Sequence, residues 1–410
     1  MQIVDEARLA EVLSRLPDRP RVVASGNYAT PLRVLAVLDR AVPEYRLNIL
    51  NAQPGIPDRD GVSYETAFVG PAMRGHPRLS YFPCRLSLVP YLLRQTLVPD
   101  VVIVHTSMPV DATVSLGVEV NVLPAAIEAV RGHGGLVIAQ ANRQMPATFG
   151  DAILPLDNVD YLVEVDEPLP AYLAEPPDET SVRIGERVAA LVPNAATLQL
   201  GIGAIPDATL QSLLDHRGLR VWSEMFSDGV LALEKAGRLD PNVAVTASFC
   251  FGSQELYDWI DRNPRVRMLR TEKTNDPALI ASHHNLMSIN GALQVDLFAQ
   301  ANASRLGPRV YSGFGGQTDF IVGAMHSPGG HAVIALRSWH AKADISTVVP
   351  LLAGPVTSFQ HSYIVTEQGT ATIWGHDSID QAQHILDHAA HPAARDDLRV
   401  AAHRLGLSLR

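Results

Sequence analysis

Short continuous apolar runs, each bounded by Gly, Pro, Asp or Asn, alternate along this chain with segments of helical periodicity. Val22-Val-Ala24 leads into Ser25-Gly-Asn-Tyr-Ala-Thr-Pro31 and then an amphipathic stretch over residues 32–42. Val101-Val-Ile-Val104 follows Pro99-Asp100, Leu136-Val-Ile-Ala139 follows Gly134-Gly135, and Tyr161-Leu-Val-Glu-Val165 follows Asn158. β-Branched runs without polar alternation predict strands buried on both faces, hence parallel, and the intervening helices predict α/β layers. Pro168-Leu-Pro-Ala-Tyr-Leu-Ala-Glu-Pro-Pro177 reads as a linker, and residues 180–191 as the helix that opens a second unit. Two α/β domains are therefore expected, over residues 1–178 and 179–410. Residues 21–42 and 197–214 share the order strand, glycine turn, proline, apolar helix. That echo fits a duplication and equally the ordinary repetition of strand–turn–helix units.

Composition narrows the class. A chain of 410 residues with 47% apolar and 19% charged residues is a well-packed globular protein of roughly two or three domains. A net charge of −10 with no basic stretch argues against a dedicated nucleic-acid binder, while leaving room for a local cationic pocket. No apolar run approaches the ~20 residues of a membrane span. The start, Met1-Gln-Ile-Val-Asp-Glu, lacks the charged and apolar regions of a secretory signal. Cys84 and Cys250 make no disulfide framework, so a cytoplasmic location is expected.

The candidate chemistry gathers around one carboxylate. Glu224 lies in Trp222-Ser-Glu-Met-Phe-Ser-Asp-Gly229, about twenty residues after Leu198-Gln-Leu-Gly-Ile-Gly-Ala-Ile-Pro206, an apolar strand with a glycine turn that opens a helix. An acid at a strand end, facing a loop of backbone N–H groups, has a nucleophile and oxyanion donors side by side. A strand-end Glu in an ordinary hydrogen bond, and a plain turn at Gly201 and Gly203, are the alternatives. Pro206 stands where a dinucleotide fingerprint needs its third glycine, which disfavours a nicotinamide enzyme. Gly313-Phe-Gly-Gly316, followed by Gln317 and Asp319, is a loop rich enough in glycine to touch a ligand or to turn tightly. Asn275 in Thr274-Asn-Asp-Pro277 reads either as a site residue or as an Asx turn before proline. His283 and His284 have no third ligand at suitable spacing, so no metal site is expected. Ser107 and Ser223 lack the nucleophile elbow of a serine hydrolase. His376, His384, His388 and His391 read as a solvated helical tail.

Leu200-Gly-Ile-Gly-Ala-Ile-Pro-Asp-Ala208, Ser223-Glu-Met-Phe-Ser-Asp-Gly229, Gly252-Ser-Gln-Glu-Leu-Tyr-Asp258, Ser312-Gly-Phe-Gly-Gly-Gln-Thr-Asp-Phe320 and Val365-Thr-Glu-Gln-Gly369 resemble the acetyl-CoA hydrolase/transferase family. Within it, the likeness is to 4-hydroxybutyrate and butyryl-CoA:acetate CoA-transferases. Gln140-Ala-Asn-Arg-Gln-Met-Pro146 and Tyr161-Leu-Val-Glu-Val-Asp-Glu-Pro-Leu-Pro170 extend it into the first half. The resemblance implies two related open α/β domains facing each other across a cleft. It implies Glu224 as the nucleophile that passes through an acyl–glutamyl anhydride and a glutamyl–CoA thioester, with Asn275 orienting it. Gly201, Ile202, Gly203, Gly315 and Gly316 become oxyanion and substrate-binding positions. Gly313, Gln317, Glu367 and Gly369 become coenzyme A contacts, with a helix-entry carboxylate as the alternative at Glu367. Coenzyme A is implied as a substrate rather than a resident cofactor, with acyl-CoA and carboxylate as small-molecule partners and a homodimer or higher oligomer as the assembly. Relatives carry Tyr where this chain has Gln368, and Leu-Arg-Gly-Lys where it has Ile373-Trp-Gly-His376. Two cations that could meet phosphates are thereby missing, and the residues that bind the coenzyme A phosphates stay open. An acyl-CoA hydrolase using the same glutamate and a non-catalytic CoA-binding protein are the alternatives.

Overall fold

The computed structural model describes residues 1–172, 175–354, 356 and 360–409. The expected linker at 168–177 lies partly outside them, at positions 173 and 174. The chain forms two compact units, one of residues 1–173, 244–274 and 310–315, the other of residues 174–243, 275–309 and 316–410.

The first unit is built on an eight-stranded sheet. Its strands lie in the order Gln2–Ile3, Tyr161–Val165, Leu136–Asn142, Val101–Thr106, Arg21–Ala24, Tyr45–Asn48, Val62–Thr66 and Leu79–Tyr81. Every neighbouring pair is parallel. The β-branched runs read from sequence supply its centre, and Val101–Thr106 is buried at all of its positions. Such a strand has apolar side chains on both faces, which only a layer on each side can cover. The helix Leu32–Ala41 turns Val34, Leu35, Val37 and Leu38 inward, onto a core that includes Val22, Leu47, Val101 and Ile138. A continuous cut at 178/179 and this division differ at residues 174–178 and 310–315 and, most extensively, over residues 244–274. Strands Val245–Ala247 and Val266–Met268 pair in parallel, and Val266–Met268 also pairs with Phe149–Gly150, so backbone hydrogen bonds tie that segment to the first unit.

The second unit holds a six-stranded sheet in the order Arg220–Val221, Thr197–Leu200, Leu286–Gly291, His331–Ala335, Tyr363–Val365 and Thr370–Thr372. All neighbours are parallel except the last two, which form a hairpin. The expected opening helix is Glu179–Ala189, capped by Asp178, which accepts from the Ser181 N–H at 2.9 Å. The histidine-rich tail is not a solvated appendage. Ile385, Leu386, Ala389, Leu398 and Ala402 are buried in the core of this unit with Phe320, Ile364 and Ala371. His384 Nδ1 lies 2.7 Å from the Thr372 carbonyl, which ties the tail to the hairpin. Sequence reading saw the polar positions and missed the apolar stripe between them. No helix among the described residues is long and apolar enough to cross a membrane.

Candidate functional site

Strand Thr197–Leu200 stops at the turn Gly201-Ile202-Gly203, and the helix Ala204–Ser212 begins immediately after it. Gly203 has φ +113°, a conformation side-chain-bearing residues rarely adopt. The neighbouring strand runs alongside, with Leu198 opposite Val221. Beyond the strand the contact persists, because the Trp222 N–H donates to the Leu198 carbonyl at 3.1 Å and Ser223 Oγ to the Leu200 carbonyl at 3.3 Å. Glu224 therefore leaves the backbone directly beside the glycine turn.

Two other segments of the same unit close on its carboxylate. Asn275 is fully buried, and its Nδ2 donates to Glu224 Oε2 at 3.0 Å. The Asx role before Pro277 falls to Asp276, which caps the helix Pro277–Ala281 by accepting from the Ala278 N–H at 2.7 Å. The Asn275 amide is thereby left for the glutamate. That helix packs on a second one, Gln317–His326, with so little clearance that a Cβ on Gly323 would lie 2.5 Å from Ile280 Cβ. Their close approach sets Asn275 against the start of the second helix. There the Gly316 N–H bonds to the Glu224 carboxylate. A Cβ on Gly316 would overlap both Glu224 Oε2 and Asn275 Nδ2.

Glu224 is partly buried, and that burial is the largest influence on its carboxyl, raising it. The Asn275 hydrogen bond opposes, the nearby Asp319 carboxylate adds to the rise, and the Gly316 N–H opposes again, leaving the group at about 7. Asp319 is fully buried in the first turn of the helix Gln317–His326. A carboxyl poised near neutrality is anionic often enough to attack and basic enough to be a good nucleophile.

The remaining sequence candidates fall in several places. Gln317 donates from Nε2 to the Gly291 carbonyl at 3.2 Å. Gly313 and Gly315 belong to the first unit, where a Cβ on either would press on Ala67 or Phe68. Gly369 closes the hairpin turn, its N–H donating to the Thr366 carbonyl at 3.2 Å, and packs against the His388 carbonyl. Glu367 spends both oxygens on protein. Oε2 accepts from the Ser338 N–H at 2.9 Å, and Oε1 from the Ser338 hydroxyl and from Gln368 Nε2. Burial works to raise this carboxyl, and those donors outweigh it and hold it below the ordinary glutamate range.

A cavity of about 570 Å³ lies against the glycine turn. Its walls are residues 201–206, 289–293 and 335–337, together with Ser181, residues 339–342 and Thr347. The first three segments leave the carboxyl ends of three neighbouring parallel strands, where α/β sheets commonly bind ligands. Gly201 has open space where a Cβ would stand. Sequence reading missed the walls supplied by Asn290, Arg337, Trp339 and Lys342. The available signal was the polar run Arg337-Ser-Trp-His-Ala-Lys342, which follows a buried apolar strand. Among the described residues no group of three His, Cys, Asp or Glu is placed to hold a metal ion.

The N-terminal domain of the acetyl-CoA hydrolase/transferase family matches residues 21–173, and its C-terminal domain matches residues 252–402. The chain belongs to this family. It is 33% identical over 411 residues to the 4-hydroxybutyrate coenzyme A transferase of Clostridium kluyveri, covering 95% of each chain. Among solved structures, the fold of this family member matches RipA from Yersinia pestis with a TM-score of 0.91 at 27% identity, over 98% of this chain and 100% of that one. It matches the 4-hydroxybutyrate CoA-transferase of Porphyromonas gingivalis with a TM-score of 0.83 at 29% identity, over 98% of both chains.

Proposed function

We propose that this family member transfers coenzyme A between a short-chain acyl-CoA and a carboxylic acid, with Glu224 as the nucleophile. One observation carries the proposal: a carboxylate near pKa 7, clamped by Asn275 Nδ2 and the Gly316 N–H beside the Gly201–Gly203 turn. The Glu224 carboxylate attacks the thioester carbonyl, the C–S bond breaks, and coenzyme A leaves as its thiolate. The thiolate then attacks the glutamyl carbonyl of the mixed anhydride, expelling the first carboxylate and leaving a glutamyl–CoA thioester. A second carboxylate reverses both steps and departs as the new acyl-CoA. Each tetrahedral stage needs N–H donors already aimed at the developing oxyanion, and the glycine turn and Gly316 are the donors next to Glu224. Asn275 holds the attacking oxygen in line. Coenzyme A enters as substrate, no metal takes part, and the enzyme acts as a cytoplasmic homo-oligomer.

Incubation with acyl-CoA followed by hydroxylamine tests the covalent steps. Glu224 is expected to become a hydroxamate in the presence of acyl-CoA and to stay unmodified without it. An unmodified Glu224 under both conditions removes it as nucleophile. Thioester consumption with and without added acetate separates the neighbouring activities. Transfer requires the acid, a hydrolase proceeds without it, and a protein that merely binds coenzyme A consumes nothing.

The carboxyl at about 7 also sets a pH dependence. Attack requires the anion, so kcat/KM for acyl-CoA is expected to rise about tenfold per pH unit below that midpoint and to level off above it. A midpoint at the ordinary glutamate value would show that burial and the nearby Asp319 carboxylate do not raise the reacting group.

A further inference from the structure

Strand Thr197-Leu-Gln-Leu200 is buried at every position, and Gln199 places an amide in its interior. Gln199 stands opposite Ser288 on the neighbouring strand Leu286–Gly291. Asn290, two residues further along that strand, lies on the same face as Ser288, because side chains alternate between faces with a period of two. Gln199 is 4% exposed and Ser288 0%, so polar atoms occupy places where an apolar side chain would cost less.

The three side chains satisfy one another. Gln199 Oε1 accepts from Ser288 Oγ at 2.7 Å and from Asn290 Nδ2 at 3.1 Å, and Gln199 Nε2 donates back to Asn290 Oδ1 at 3.3 Å. Asn290 Nδ2 also donates to Ser288 Oγ at 2.8 Å, so both of its protons are spent inside the network. The two amides form a reciprocal pair. A slip of one residue between the strands would turn Gln199 to the other face and leave its partners unsatisfied. Apolar contacts have no direction and would tolerate small sliding, whereas this network holds one alignment.

The alignment matters because of what this strand carries. Gln199 lies between Leu198 and Leu200, whose carbonyls accept the Trp222 N–H at 3.1 Å and Ser223 Oγ at 3.3 Å. The residue after Ser223 is Glu224, and the residue after Leu200 is Gly201, so one strand end holds both the carboxylate's segment and the glycine turn. Asn275 and Gly316 reach Glu224 from other segments. Play in the strand would therefore shift the turn and the Glu224 backbone against a clamp that does not move with them.

We propose that Gln199, pinned by Ser288 and Asn290, is a positioning residue for the transfer reaction, fixing the glycine turn and the Glu224 segment in one reacting alignment. It touches neither substrate nor reacting atoms and acts through the backbone on either side of it. The proposal rests on the CoA-transferase reading and adds to it the buried network that keeps donor and nucleophile in register.

Gln199→Met tests it, since methionine keeps the length of the side chain and removes both polar atoms. Adding Ser288→Ala deletes the hydroxyl left without its acceptor and is expected to restore much of any lost Tm. Both variants are expected to lower kcat about 10²-fold while KM for acyl-CoA stays within about twofold, and to be trapped by hydroxylamine at Glu224 slowly but to wild-type stoichiometry. Wild-type kcat in Gln199→Met overturns the proposal. So does a loss of kcat that returns together with Tm in the double variant, which would leave Gln199 a part in stability alone. Where Gln199→Met does not fold, Ser288→Ala by itself carries the test: kcat is expected to fall about fivefold at unchanged trapping stoichiometry, and an unchanged kcat overturns the proposal. Failure of the underlying CoA-transferase reading looks different, because wild type itself then turns over no pair of acyl-CoA and carboxylate and is not modified at Glu224.

Discussion

Glu224→Gln is expected to abolish transfer, lowering kcat by at least ~10⁴-fold, because an amide keeps the shape of the side chain and cannot form the anhydride. The same substitution should alter stability with a definite sign. Burial raises the folded-state carboxyl from 4.5 to about 7, so between those values the folded protein binds more protons at this site than the unfolded chain. Stability is fully present below the unfolded value and is lost as pH rises through the folded one, by an amount on the order of 3 kcal/mol. Glutamine carries no charge and escapes that loss. The difference in Tm between variant and wild type should therefore grow in the variant's favour from pH 5 to pH 8. Thermal melts across that range, beside a transfer assay, check both halves. Retained transfer, or a Tm difference that ignores pH, contradicts the assignment.

What was legible in the sequence follows the range of the forces involved. Strands such as Val101–Thr106 and Leu136–Asn142 declare themselves, since burial on both faces demands an unbroken apolar run. The turn at Gly201–Gly203 was equally local. The clamp on Glu224 was not, because Asn275 is 51 residues away and its neighbour Asp276 has the same Asx chemistry. Which of the two caps the helix and which reaches the glutamate is decided by the packing of Ile280 on Gly323, a contact with no local signature. The cavity walls were hidden for a related reason. They come from strands that are neighbours in the sheet and distant in the chain, Leu200 lying opposite Ile289 and Gly291 opposite Ala335. Family resemblance pointed to both Glu224 and Asn275, and the structure joins the two side chains by a hydrogen bond.

Gly316→Ala is expected to disable the site nearly as thoroughly as loss of the nucleophile, for a different reason. Gly316 has φ −95° and ψ 0°, a conformation that alanine adopts readily, so backbone strain is not at issue. The obstacle is the added methyl group, which would occupy the space of Glu224 Oε2 and Asn275 Nδ2 and lie 3.0 Å from Glu224 Cδ. Either the carboxylate swings away or the helix start retreats, and both break the Gly316 N–H and Asn275 hydrogen bonds. Those are the two influences that hold the Glu224 carboxyl down, so its midpoint should move above 7 while kcat falls about 10²–10³-fold. Gly201→Ala is the control, since a Cβ there meets nothing within 4 Å and should leave the fold and the clamp intact. A pH–rate profile of both variants, with hydroxylamine trapping at Glu224, separates the two cases. Gly316→Ala should show a raised midpoint and slow trapping, and Gly201→Ala an unmoved midpoint. A Gly316→Ala enzyme with normal turnover and an unmoved midpoint would mean that Glu224 reacts from a position other than the one clamped by Asn275.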